Sequence, residues 1–236
     1  MPTILRVYGE CLARVPGDIA RNVWVLILPV LASIAFAVLG SLLGALGIVG
    51  GFIMGLVECA IFASFLYFLD EVVSRSPTHI RELLTSVKRY FWPVMNVLFV
   101  LWIAQLVLGM VLSGLPNGGV IQMGIALVLF ILLNATPEVI YQRRAWNGMD
   151  VIMGSVNFIQ ENWIEWFIPN LAFGAAAVFG VGPLASLLAM ALGGFGLVAT
   201  GVIVGALLMP VMVFRGHLFR ALDGSSSRAR RFKYGR

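Results

Sequence analysis

Glu58 is the residue whose type and position most invite chemistry. It stands alone among the apolar residues from Gly51 to Phe68 and shares one helical face with Gly51 and Gly55. A helix that starts near Gly51 and rises about 1.5 Å per residue carries this carboxyl roughly 10 Å into an apolar layer about 30 Å thick. An ionised carboxylate at that depth costs about 2.5–3.5 kcal/mol, so the group is expected to be protonated or partnered. Gln105 and Thr200 lie at matching distances from their nearest turns and are the expected hydrogen-bond partners. Gly51 and Gly55 on the same face predict a close helix–helix contact around Glu58. Two uses fit such a group: a neutral acid joining helices, or a proton- or substrate-coupled site.

A second set consists of Asp70, Glu71 and Glu138, which recur close to Arg143 and Arg144 and to Arg75 and Arg81. These residues suit ion pairing at a membrane surface. They equally suit a gate over an inward-facing cavity, with Pro137 and Pro210 interrupting two helices near their ends and freeing carbonyls for a ligand. A third set is the basic tail, with Arg228, Arg230, Arg231, Lys233 and Arg236. Beside an anionic leaflet each such charge contributes about 1 kcal/mol, so the tail is expected to bind anionic lipid headgroups or an acidic partner.

The residues of other chemistries are missing. His79 and His217 are the only histidines and Cys11 and Cys59 the only cysteines, which argues against a metal or haem site and against a disulfide framework. There is no Gly-rich phosphate loop with its lysine, no His-Glu-x-x-His helix and no serine nucleophile elbow. No catalytic residue, metal or cofactor is therefore expected, and no nucleic-acid binding.

The elements that must position these groups follow from composition. Of 236 residues, 60% are hydrophobic and 11% charged, where a soluble domain carries about 25% charged. Three stretches lack any Asp, Glu, Lys or Arg: Asn22 to Val57, Tyr90 to Pro137 and Trp166 to Phe214, of 36, 48 and 49 residues. One membrane span needs about 20 apolar residues, so each stretch predicts two helices and a tight turn, once Glu58 is admitted to the first. The expected fold is all-α, a polytopic membrane protein with six transmembrane helices as three hairpins. A juxtamembrane segment covers 1–21, the hairpins 22–73, 90–141 and 162–214, the interfacial segments 74–89 and 142–161, and the tail 215–236. No soluble segment is long enough to hold a core of its own. Residues 1–21 carry five charges and no unbroken apolar core, so they do not read as a cleavable signal peptide.

With turns at Gly44 to Gly51, Gly114 to Gly119 and Val181 to Gly194, all 16 Lys and Arg fall on one side. The positive-inside rule makes that side cytoplasmic, with both termini there. Trp24, Trp92, Trp146, Trp163 and Trp166 cluster toward the same ends, where amphipathic rings settle, and Trp102 is the exception. If the source is bacterial, the host is the inner membrane.

The chain also repeats itself. Asn22-Val23-Trp24 aligns with Arg89-Tyr90-Phe91 and Asn162-Trp163-Ile164, and Asp70-Glu71-Val72-Val73 aligns with Pro137-Glu138-Val139-Ile140 and Pro210-Val211-Met212-Val213. Before the second and third hairpins come amphipathic stretches. Ile80, Leu83, Leu84 and Val87 form one helical stripe, and Val151 to Ile159 does much the same, so both are expected to lie along the cytoplasmic interface.

An amphipathic helix, a polar-aromatic pair, a Pro-bearing span and a second span closing on Pro137-Glu138-Val139-Ile140-Tyr141 resemble the multi-hairpin membrane domain of some glycerophosphodiester phosphodiesterases. Small bacterial polytopic membrane proteins share this architecture. The soluble phosphodiesterase domain has no counterpart here, so the resemblance implies a scaffold or lipid-related role and no catalytic residue. The expected function is a non-enzymatic membrane scaffold or accessory subunit, partnered by membrane lipids and by another protein or a second copy. The alternative is a transporter or channel for a lipid or small hydrophobic solute, with Glu58 in its path.

Overall fold

The computed structural model describes residues 2–74 and 76–224, and every regular element among them is helical. Five runs are long and apolar enough to cross a membrane: Val23–Val73, Thr85–Leu112, Gly118–Arg143, Gly148–Leu192 and Ala199–Leu222. The first run doubles back on itself, because the Trp24 ring lies 4.7 Å from that of Phe68.

Helix α1 (Pro2–Arg21) is amphipathic. Val7, Cys11, Val15 and Asp18 form its buried stripe, spaced three to four residues apart, while Arg6, Glu10, Arg14 and Arg21 are exposed. It ends at Asn22, whose backbone leaves the helical region (φ −133°, ψ 40°), and a 3-10 turn over Val23–Ile27 redirects the chain. Next come α2 (Leu28–Leu43), which opens on Pro29, and α3 (Gly47–Val73). The second unit has α4 (Leu83–Leu112), α5 (Gly118–Leu132) and α6 (Thr136–Arg143). The third has α7 (Gly148–Ala176), a π turn over Ala177–Val181, α8 (Gly182–Leu192) and α9 (Gly194–Leu222).

Units one and three are built alike. Asn162 kinks α7 at φ −131°, ψ 20°, nearly the Asn22 conformation. Each asparagine donates its side-chain amide to the carbonyl four residues back, Asp18 and Phe158, at 3.2 Å. A short amide side chain can satisfy a carbonyl left open where the helix breaks, which explains why this residue type sits at both bends. Their tight turns at the uncharged end also match, with Gly47 (φ 56°, ψ −126°) and Gly193 (φ 54°, ψ −126°) in a region closed to residues with a Cβ.

Three expectations are corrected. The interfacial helix over 74–89 is absent as a separate element: residues 76–79 have no regular structure, Ile80–Glu82 is a 3-10 turn, and α4 runs unbroken from Leu83. Arg89 stands where the other units have asparagine, and its guanidinium reaches across to α3 instead of holding a helix break. The third tight turn is at Gly193 and not spread over Val181 to Gly194. Pro183 has no N–H for the helical ladder, and the π turn just before it lets the helix pass the proline without ending. Finally, the Val151 to Ile159 stripe faces protein: Val151, Phe158 and Ile159 belong to the core, and α7 packs on α4, α6 and α9.

The units close into a ring, with α3 against α4, α4 against α7, and α9 against α1, α2 and α3. The last turns of α3 and α9 and the short α6 meet in the middle. There Gly216 lets α9 pass close to α3 and α6: a Cβ on it would stand 2.7 Å from Val73 Cγ2 and against the Tyr141 hydroxyl. The core gathers at this end, which also carries nearly all the described charges. Toward the turns the helices separate and expose Ile48 (94%), Phe52, Met123, Phe130 and Met190. In lipid such exposure carries no hydrophobic penalty, so the packing that joins the units comes from the charged end.

Candidate functional site

The polar groups of the charged end form four paired centres, three arginine–carboxylate ion pairs and one hydrogen-bonded histidine–aspartate pair. The first arises where the chain breaks between α5 and α6. Pro137 near the start of α6 cannot continue the α5 ladder, and the backbone turns at Leu133 to Ala135. The carbonyls this exposes are used inside the protein: Ser155 Oγ donates to the Leu132 carbonyl at 2.9 Å and Arg215 Nη2 to the Asn134 carbonyl at 2.6 Å. Arg215 also grips Glu138 through two bonds of 2.9 and 3.1 Å, and the Glu138 side chain is 0% exposed. The guanidinium lies 4.9 Å over the Trp166 ring, whose Nε1 donates to Asn134 Oδ1 at 2.9 Å. Planar guanidinium matches carboxylate and ring together, which a lysine would not.

The second centre joins α3 to α4. Arg89 bridges Asp70 and Glu71, each at 3.1 Å, and Tyr90 donates to Asp70 at 2.8 Å. The third joins the chain's two ends: His217 Nε2 lies 2.7 Å from Asp18 Oδ2, both buried, across 199 residues of sequence. In the fourth, Arg143 pairs with Asp223 through Nε at 3.2 Å and lies 5.7 Å from the centre of the Phe219 ring.

Of the surface set read from sequence, Asp70 and Glu71 therefore share Arg89, Glu138 takes Arg215, Arg143 takes Asp223, and Arg144 has no carboxylate partner among the described residues. Pro137 does break its helix, but the freed carbonyls already have donors. Pro210 lies inside an unbroken α9. The partners that sequence reasoning did not single out are Arg89, Tyr90, Trp166, Arg215 and Asp223, together with the Asp18–His217 pair. Only the lone buried-type polar residues Asn134 and Asp18 beside apolar runs signal them in sequence.

The ends of α3, α6 and α9 line an open cavity of about 280 Å³. Asp70 and Ser74 come from the first, Tyr141, Gln142 and Arg144 from the second, and Arg220 and Asp223 from the third.

The intramembrane set does not come together. Glu58 and Gln105 are exposed and Thr200 is half-buried, with no hydrogen bond or ion pair to Glu58 among the described residues. Cys59 Sγ lies 3.9 Å from Met95 Sδ, which sets Glu58 level with Met95. Gln105 follows ten residues later, about 15 Å along α4. About 6 Å of that offset comes from α3 beginning at Gly47, four residues before the start assumed at Gly51, and the rest from the stagger of α3 against α4. Nor do Gly51 and Gly55 meet a neighbouring helix; Gly205 does, against Pro29 and the Leu26 carbonyl. The tail residues Arg228, Arg230, Arg231, Lys233 and Arg236 lie outside the described residues.

On α1, burial pushes the Cys11 thiol up to about 11, with Glu10 adding and Arg14 opposing. Burial, aided by Glu165, pushes the Tyr8 phenol up to about 12, and its hydroxyl donates to the Glu165 carbonyl at 2.7 Å. Neither is poised as a nucleophile or base at neutral pH. No family model, curated protein or solved structure matches this chain.

Proposed function

We propose that this chain is an integral membrane scaffold or accessory subunit without enzymatic activity, with six spans in three hairpins and both termini cytoplasmic, in the inner membrane if bacterial. The single observation that supports it best is the use of the buried charges. Glu138, Asp18 and Asp70 are each tied to a cation or imidazole on another helix, so they hold the charged end together instead of lining a path. In the opposite halves the helices part and present apolar side chains, a surface suited to lipids and to other membrane helices. The resemblance to the phosphodiesterase-associated membrane domain points the same way.

Extraction in native lipid particles followed by mass spectrometry tests this reading. A stoichiometric protein partner is expected; particles holding only one chain and one defined solute would overturn it. Glu58 supports a second reading, since it has no hydrogen-bond or ion-pair partner among the described residues and lies on an apolar face. If it serves proton-coupled transport, Glu58→Gln abolishes flux without loss of folding; wild-type flux in that variant removes the coupled version.

A further inference from the structure

We propose that the cavity between the ends of α3, α6 and α9 is a binding site for a phosphate-bearing anion, held by Arg144 and Arg220. This stands apart from the scaffold reading and does not need it. The charge arrangement favours an anion. The two acidic groups in the wall are already neutralised by cations beside the cavity, Asp70 by Arg89 and Asp223 by Arg143. The two arginines in the wall are not: neither Arg144 nor Arg220 has a carboxylate partner among the described residues. Arg220 spends one N–H on the Val73 carbonyl at 3.2 Å and a second, at 3.5 Å, on Ser74 Oγ, out of the five a guanidinium offers.

The backbone holds Arg144 in place at some cost. It is one of two non-glycine residues with positive φ (52°) among the described residues, in the left-handed conformation that ends α6. This arginine takes a conformation that glycine or asparagine would adopt more easily at a helix end. The cavity, about 280 Å³, lies just below the range of drug-sized ligand sites, so it fits a small phosphate group and not a nucleotide cofactor. Arg144 and Arg220 both line this cavity, and guanidiniums match the oxygens of a phosphate through paired charge-assisted bonds. The anion has two possible sources, a free phosphate and the headgroup of an acidic lipid.

The test uses the full chain in nanodiscs of phosphatidylcholine, with and without phosphatidic acid, and follows thermal unfolding against added inorganic phosphate or chloride at equal ionic strength. Saturable stabilisation by phosphate in phosphatidylcholine discs assigns a free anion. Stabilisation that needs phosphatidic acid assigns a headgroup. Either effect must weaken at least about tenfold in Arg144→Gln, the loss expected for one hydrogen bond to a charged group, with Arg144→Lys intermediate. Arg81→Gln, on an exposed arginine away from the cavity, must leave it unchanged. Because Arg144 makes no hydrogen bond among the described residues, its variant should unfold like the parent without ligand, while Arg220→Gln provides a second loss-of-binding variant. Phosphate and phosphatidic acid no better than chloride and phosphatidylcholine, or full binding in Arg144→Gln, overturns the proposal.

Discussion

Glu138 shows how much depends on single residues here. Its carboxylate is wholly enclosed and bound by Arg215, so removing one partner strands the other charge. Glu138→Gln is expected to lower stability by about 3 kcal/mol, and Glu138→Leu with Arg215→Leu by much less, because the paired deletion removes both desolvation costs. Detergent unfolding followed by far-UV circular dichroism measures both. At Gly216 the limit is space: Gly216→Ala drives a methyl into the Tyr141 hydroxyl and Val73, for a loss of about 1–3 kcal/mol. Tyr141→Phe removes the nearest obstacle, so the double variant should be more stable than additivity allows. Cys11 carries a pH prediction. Its folded-state value is raised from 9.0 to about 11, so its contribution to stability is full below pH 9 and is lost as pH rises through about 11. Cys11→Ala should flatten that alkaline decline, and maleimide labelling of Cys11 should stay slow at neutral pH. Burial and partners of this kind were not legible in sequence, since 77 residues separate Glu138 from Arg215.

At the scale of elements, the asparagine bends carry most of the meaning. Asn22 binds back to α1 and also accepts from the Thr78 backbone N–H at 3.0 Å and hydroxyl at 2.7 Å, so it fastens the close of the first hairpin to its start. Asn22→Ala leaves that buried N–H without its acceptor and should cost about 1–3 kcal/mol. Hydrogen exchange should then rise at Thr78 and across α1, and stay unchanged in α5; protection in α1 equal to the parent would show that the bend is held by packing alone. The repeat alignment placed a hairpin start at Asn22 and Asn162, where the chain does bend, and equally at Arg89-Tyr90, where α4 runs straight through. The unbroken α4 was less legible than the bends, because an apolar stripe from Ile80 to Val87 reads equally as an interfacial helix and as the first turns of a span.

For the whole molecule, closure of the ring depends on contacts between the first and third units. Asp18 and His217 join helices at opposite ends of the chain, so Asp18→Leu should lower the midpoint of a single cooperative unfolding transition, although it alters only α1. The loss expected for an unpaired buried imidazole is about 1–3 kcal/mol, and His217→Leu in the same chain should restore most of it. Two separate transitions in Asp18→Leu would mean that the units fold independently and the ring is not a cooperative unit.

The sequence by itself determined the all-helical character, the presence of helices long and apolar enough to cross a membrane, the places of the first two tight turns and the concentration of charge at one end. These follow from local composition: long apolar runs, glycine where the chain must reverse, and charges where apolar runs stop. Only the tertiary structure decided which charges pair, that Glu58 faces outward from the chain, and that three helix ends line one open cavity. Those outcomes depend on how helices rotate and stagger against one another. A rotation of one residue, about 100°, moves a side chain from a neighbour to the lipid while leaving the hydropathy of the run unchanged.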